Sequence, residues 1–344
     1  MSIETAKHET PLIEARNLKK YFKIPHKGML HAVDDVSFSV YKGETLGLVG
    51  ESGCGKSTVG NVVMGLHSAT SGELLFKGED VFKARRNRNH ELYRKMQIVF
   101  QDPYSSLNPK KTIKKILSEP FLIQKICPKG PELDDKISEL CNLVEIPAEL
   151  LSCYPHELDG GMRQVVGIAR ALSLRPEFIV CDEPVSSLDV SVQAKIINLL
   201  MDLQKKLDLS YLFVSHDLSV VKHISNRIAV MYLGQIVEIA DKENIFRQTM
   251  HPYSIALLSA IPKVIKDDNE RGARIVLKGD VPSPLDPPGT CRFAPRCWMA
   301  REDCYTRPAP ELKEVSPGHC VACHYYQISR EMMKKAETAN TIQI

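Results

Sequence analysis

The run Gly50-Glu51-Ser52-Gly53-Cys54-Gly55-Lys56-Ser57-Thr58 matches the pattern G-x-x-x-x-G-K-[S/T]. The apolar run ETLGLVG precedes it, and STVGNVVMGL, with helical spacing, follows it. A loop of this kind between strand and helix is built for phosphates. Its glycines let backbone N–H groups curl around the anion, Lys56 reaches the β- and γ-phosphates, and the Ser57 hydroxyl can ligate Mg²⁺.

A second apolar run, EFIVCDEP, delivers Asp182 and Glu183 side by side. Alone, such a pair would simply cap the next helix. Beside a phosphate loop, Asp182 belongs to a metal shell and Glu183 can accept a proton from an attacking water. His216 ends the run YLFVSH. A lone histidine is usually a core residue, but this one closes a strand at the sheet edge where open α/β folds bind ligands.

The stretch HELDGGMRQ is awkward. Gly160 and Gly161 open a helix whose free N–H groups favour an anion, yet Asp159 before them is itself an anion. As a helix N-cap, aspartate is among the best residues.

The ten cysteines are unevenly spread. Cys54, Cys127, Cys141, Cys153 and Cys181 are scattered and read as packing residues. Cys291, Cys297, Cys304, Cys320 and Cys323 crowd into one segment. Zinc sites usually show paired C-x2-C knuckles, and only Cys320 and Cys323 form one. Four thiolates suit zinc or an iron–sulfur cluster, and simple reduced thiols are the third reading.

These residues need elements to position them. LIEARNL and AVDDVSFSV alternate as half-buried antiparallel strands, and GELLFKGEDV follows a turn signal with strand character. From about residue 110 to 160 the pattern is helical, with breaks expected at Pro120, Pro128 and Pro147. Then come the helix GMRQVVGIARAL, the strand EFIVCDEP, the long amphipathic helix SVQAKIINLLMDLQKKL, the strand SYLFVSH, and two strands around a turn in NRIAVMYLGQIVEIA. Alternating strands and helices predict a parallel sheet covered on both faces. SAIPKVIKDDNERGAR and GDVPSPLDPPGT read as linker and loop, and EMMKKAETANTIQI as a frayed helix.

At 344 residues, 43% hydrophobic and 25% charged, the expectation is one large globular domain plus an appendage. The net charge of +3 says nothing about nucleic acid, and KARRNRNHELYRK reads as a solvated helical face. No run approaches the ~18 apolar residues of a membrane span. The N-terminal stretch lacks the apolar core of a signal peptide. The expectation is a cytoplasmic chain whose cysteines stay thiols or metal ligands.

The ordered set Gly50–Thr58, VFQDP, LDGGMRQ, CDEPVSSLD and VSHD resembles the ABC-transporter ATPases over residues 10–260. The resemblance implies a P-loop NTPase α/β fold: a mostly parallel core, an antiparallel β subdomain and a helical subdomain at about 105–170. It implies Mg²⁺ held by Ser57, Gln101 and Asp182, with Gln101 also facing the membrane partner. Asp189 becomes the D-loop residue, His216 the switch histidine, and Phe22, with Tyr21 second, the residue stacked on adenine. Leu158, Asp159, Gly160, Gly161 and Met162 become the signature that serves ATP held by a partner subunit, where the family usually has serine at the position of Asp159.

VFQDPYSSLNP, VMYLGQIVE, HPYSIALLSAIP and GDVPSPLDPPGTCRFAPRC look like the oligopeptide/dipeptide importers. VGIARAL and SVQAKIINLL lean to the F-type ATPase subunit, although Met162 is more typical of its D-type partner. That likeness implies a C-terminal extension at 261–330, a tail at 331–344, and a [4Fe–4S] cluster on Cys291, Cys297, Cys304 and Cys323, with zinc as the alternative. Implied partners are a second ATPase subunit (paralogue or self), two transmembrane permeases and an extracytoplasmic solute-binding protein, at the cytoplasmic face of the membrane and without nucleic acid. The competing functions are import of nickel or another small solute, a soluble ABC ATPase acting on ribosomes or nucleic acid, and a nucleotide-binding subunit that barely hydrolyses ATP. One P-loop in the chain argues against the ribosomal reading.

Overall fold

A computed structural model of the chain describes residues 10–87, 89–261 and 275–329. Two sheets carry the fold. Strands β1 (Ile13–Ile24), β2 (Gly28–Val40), β4 (Ser71–Phe76) and β5 (Glu79–Asp80) form a four-stranded antiparallel sheet in the order β2-β1-β4-β5. The main sheet runs β11-β12-β10-β9-β3-β8-β7-β6. Its strands are β3 (Thr45–Val49), β6 (Met96–Val99), β7 (Phe178–Asp182), β8 (Ser210–Ser215), β9 (Arg227–Tyr232), β10 (Gln235–Asp241), β11 (Lys313–Ser316) and β12 (His319–Val321).

The centre of that sheet, β9-β3-β8-β7-β6, is parallel. Every residue of β3, β7 and β8 is buried, which is why these strands read as unbroken apolar runs instead of alternating ones. Residues with functional promise therefore sit where the strands end, since only there does the chain leave the core. The short edge strand β6 was not expected from the sequence. Four residues carry too little periodicity to announce a strand.

The helices follow their caps. Lys56–Met64 starts after Gly55 and stops at Gly65, both in the left-handed region. Asp159 and Asp189 each accept the N–H three residues on and so start Gly160–Leu172 and Val190–Leu207. One expected break is absent: Pro120 lies inside the helix Ile113–Ile123. The helix loses one internal hydrogen bond there, but it buries Ile113, Ile116, Leu117 and Phe121 against the core, and that burial outweighs the loss.

The C-terminal segment is stitched to the core rather than hung from it. β12 pairs with β10, Glu238 facing Val321 and Ile239 facing Cys320. Beneath that pairing the fully buried Glu238 carboxylate accepts from Thr249 Oγ1 at 2.8 Å, Met250 N at 2.7 Å and His251 N at 3.1 Å, and meets His319 Nε2 at 2.8 Å. Burial alone would raise this carboxyl's pKa, but the contacts from His319 and Met250 hold it below the usual range. Most of the segment read as linker, residues 262–274, and the tail 331–344 lie outside the described residues.

Candidate active site

The phosphate loop forms where expected, between β3 and the helix Lys56–Met64. Two of its glycines are dictated by close approach. A Cβ on Gly50 would lie 2.1 Å from the Met231 carbonyl oxygen, and one on Gly55 would lie 2.0 Å from that of Ala32. Gly53 and Ser52 face solvent, Thr58 is half-buried, and Cys54 is buried beneath the loop. Lys56 is only 4% exposed. Its ammonium donates to the Gly50 and Glu51 carbonyls at 2.9 and 3.0 Å, so the loop's own carbonyls hold the lysine in place.

Ser57 Oγ donates to Asp182 Oδ1 at 2.8 Å. Burial raises the pKa of Asp182, and the neighbouring Glu183 charge adds to it, while Ser57 and Lys56 pull the other way. This hydroxyl–carboxylate pair is an oxygen set suited to a hard cation such as Mg²⁺.

Next to it, Glu183 gathers the other predicted groups. Its Oε2 accepts from Gln101 Nε2 at 2.9 Å, and its Oε1 faces His216 Nδ1 at 3.3 Å. The Glu183 backbone is left-handed, with φ +44°, which costs of order 1 kcal/mol or more for a non-glycine residue. Its N–H donates to the Val214 carbonyl at 2.9 Å, and its own carbonyl accepts from Ser186 N and Oγ at 3.3 and 3.1 Å. Those bonds hold the conformation that aims the carboxylate at the end of the sheet.

Tyr21 and Phe22 point to opposite faces of β1, as strand alternation requires. Tyr21 stacks on His31 with ring centroids 3.9 Å apart and donates its phenol to Asp34. It is therefore occupied within the fold. Phe22 is half-buried, edge-on to His67 at 5.4 Å with the Lys20 ammonium 4.7 Å from its ring. Of the two rings, Phe22 is the one left able to stack on a base.

Gly160 and Gly161 pack against the segment that follows Glu183. A Cβ on Gly160 would meet the Leu188 side chain at 3.2 Å, and one on Gly161 would meet Val192 at 2.6 Å. Leu158 is buried and Met162 half-buried, while Asp159 and Asp189 are exposed with one oxygen each committed to a helix N-terminus.

Comparison with known proteins decides what this assembly is. The family model for the ABC transporter matches residues 33–186, and that for the oligopeptide/dipeptide transporter C-terminal region matches 237–304. The chain is 48% identical to the oligopeptide transport ATP-binding protein AppF of Bacillus subtilis, across 94% of this chain and 99% of that one. This chain belongs to the ABC-transporter ATPase family. It is also 46% identical to the dipeptide transport ATP-binding protein DppF of Haemophilus influenzae, across 93% and 98% of the two chains. Among solved structures, the cassette MJ0796 in a dimeric post-hydrolysis state bound to ADP and Pi superposes with a TM-score of 0.60 at 26% identity, covering 67% of this chain and 98% of that one.

As an ABC ATPase the chain binds and hydrolyses ATP, and the arrangement around Lys56, Ser57, Asp182 and Glu183 is suited to that chemistry. Among the described residues, no helix is long and apolar enough to cross a membrane.

Cys291, Cys297, Cys304 and Cys323 line one small cavity, walled by Phe293, Met299 and Tyr325. Burial raises Cys291 and pushes Cys297 and Cys323 up to about 12, with neighbouring cysteines adding to the shift. Among the described residues, however, no three His, Cys, Asp or Glu side chains come close enough to hold one metal ion. Cys320 is directed elsewhere, packing beside β10 in a different part of the core.

Sequence reasoning missed two residues that touch the phosphate loop, Tyr253 and Arg296, and a third, Arg292, that braces the turn beside it. Tyr253 Oη accepts the Glu51 N–H at 2.8 Å, Arg296 forks onto the Glu51 carboxylate at 2.8 and 3.2 Å, and Arg292 bridges Asp34 and the Leu233 carbonyl. Tyr253 lies in the quoted run HPYSIALLSAIP and both arginines in GTCRFAPRC, so the signal was present without its geometry.

Proposed function

We propose that this chain is the ATPase subunit, of the F type, of an importer that carries di- or oligopeptides across the cytoplasmic membrane. The observation that carries the reading is near full-length 48% identity to a protein named for oligopeptide transport, joined to the match of residues 237–304 to the oligopeptide/dipeptide C-terminal region. The domain limits proposed are an ATPase at 10–260, with its helical part at about 105–170, then an extension at 261–330 and a tail at 331–344.

In the proposed reaction a water oxygen bonds to the γ-phosphorus while the bond to the β–γ bridging oxygen breaks. Glu183 accepts the water proton, and the products are ADP and inorganic phosphate. Lys56 stabilises the phosphate charge, and His216 stands beside Glu183 where the γ-phosphate would lie. The P-loop N–H groups from Gly50 to Thr58 cradle the phosphates, and Phe22 stacks on adenine. Bound Mg²⁺, held by Ser57 and Asp182 with Gln101 nearby, would supply further charge neutralisation. Leu158 to Met162 and Asp189 face a second ATPase subunit and its nucleotide.

We further propose that Cys291, Cys297, Cys304 and Cys323 hold a [4Fe–4S] cluster as a structural clamp. Four thiols sharing one largely apolar cavity support this. A single zinc ion on the same four sulfurs is the alternative occupant.

The partners of the working complex would be the second ATPase, two transmembrane permeases and an extracytoplasmic solute-binding protein, which places this chain on the cytoplasmic membrane face. Purifying the native complex through a tag on this chain and identifying its subunits tests the assignment. Two permeases and a second ATPase, a paralogue or another copy of this chain, are expected, whereas ribosomal proteins or nucleic acid would overturn it.

A further inference from the structure

Glu51 is an anion within the phosphate loop, so its carboxylate stands beside a site that must take a polyanion. In this chain every polar group of Glu51 is engaged. Its N–H donates to Tyr253 Oη, its carbonyl accepts from Lys56, and its carboxylate takes both Nη atoms of Arg296. The Arg296 side chain is 9% exposed and that of Glu51 28%, so the pair is largely shielded from water and counter-ions. A two-pronged arginine contact fixes direction as well as charge.

Arg296 is itself firmly mounted. It precedes Cys297, and Phe293, three residues back, is packed between Tyr232 and Tyr253 at ring-centroid distances of 5.2 and 5.5 Å. Arg292 latches the same segment to Asp34 and, at 2.6 Å, to the Leu233 carbonyl. The adjoining Gly234 N–H donates to the P-loop Cys54 carbonyl at 2.9 Å. The segment between Cys291 and Cys297 thus holds the phosphate loop directly at Glu51 and, through the Leu233–Gly234 turn, indirectly at Cys54.

We propose that Arg296, acting through Glu51, is a positioning residue of the ATP site, and that the Cys291–Cys297 segment thereby sets nucleotide affinity. This rests on the reading of Gly50–Thr58 as the ATP site. Arg296 cancels a charge that would otherwise repel the phosphates, and it holds the Glu51 peptide so that the loop stays open towards them.

The test is equilibrium titration of a fluorescent ATP analogue with Mg²⁺ onto the full chain, alongside its nucleotide-free melting temperature. Arg296→Met should weaken binding by roughly tenfold or more, the order expected for leaving a shielded charge unpaired. Arg296→Lys, which keeps the charge but not the fork, should lie between, and it carries the test should the methionine variant fail to fold. Adding Glu51→Gln to Arg296→Met should recover much of the affinity, since it removes the unpaired charge; a purely structural arginine would show no such suppression.

Wild-type affinity in the arginine variants, with Lys56→Ala strongly impaired, overturns the inference while leaving the ATP site in place. So does failure of Glu51→Gln to recover any affinity. If Lys56→Ala also binds normally, the site assignment itself falls and takes the inference with it.

Discussion

Gln101 Nε2 donates to Glu183 Oε2 at 2.9 Å. The residue that leads from β6 into the helical region is thereby tied to the carboxylate proposed to take the water proton. His216 meets the other oxygen of the same carboxylate at 3.3 Å. Movement of the helical region would be felt at Glu183, and displacement of Glu183 at Gln101.

Glu183→Gln keeps the shape and the hydrogen-bond reach but loses the proton acceptor. Turnover should fall by roughly two to four orders of magnitude, the usual span of acid–base help, with nucleotide binding retained. Steady-state ATPase assays and analogue titration on the assembled transporter check this. Near-normal turnover would remove Glu183 from the role.

Asp159 caps its helix through Met162 N at 2.7 Å, which is worth about 1 kcal/mol over alanine. On the proposed reading it also faces the γ-phosphate held by the partner. Two unit charges ~5 Å apart at an effective dielectric of ~20 repel by about 3 kcal/mol, so repulsion wins at the composite site. Asp159→Ser keeps a good cap and removes the charge. It should raise ATP affinity or turnover at that site of the reconstituted complex. Lower activity with the fold intact would mean that the carboxylate has a positive function.

The cysteine cavity should hold iron. Protein purified without oxygen should be brown with about four irons per chain, and Cys297→Ser or Cys323→Ser should bleach it. Because burial keeps the thiols of Cys291, Cys297 and Cys323 protonated, loading should also release protons, readable in a weakly buffered indicator assay. One stoichiometric zinc in a colourless protein would contradict the cluster.

His251 is buried, and burial lowers its pKa to about 4. Its Nδ1 accepts the Tyr253 N–H at 3.1 Å, capping the helix Pro252–Ser259. In the unfolded chain it titrates near 6.5. Between these values the unfolded state binds the extra proton, so its contribution is complete above pH ~6.5 and is lost as the pH falls towards 4. About 2 kcal/mol should disappear between pH 6.5 and 5 from this group. Urea unfolding at the two pH values measures it, and His251→Asn, which can cap but not charge, should flatten the slope.

The sequence made the phosphate loop, Asp182, Glu183 and His216 legible because each sits in a short contiguous pattern. The strands β3, β7 and β8 were equally plain, since full burial writes itself as an apolar run. Arg296 and Glu51 are 245 positions apart, and no periodicity links residues so distant. β12 is three residues long, and only its pairing with β10 and β11 makes it a strand. Pro120 misled because a local breaker was weighed without the apolar face that holds its helix together.

The most direct measurement is uptake of a labelled peptide into proteoliposomes that contain the purified complex, with solute-binding protein and peptide on the side opposite this chain and ATP on the side of this chain. The account predicts ATP-dependent peptide accumulation that is lost with Glu183→Gln. A complex that hydrolyses ATP but moves no di- or oligopeptide would contradict it.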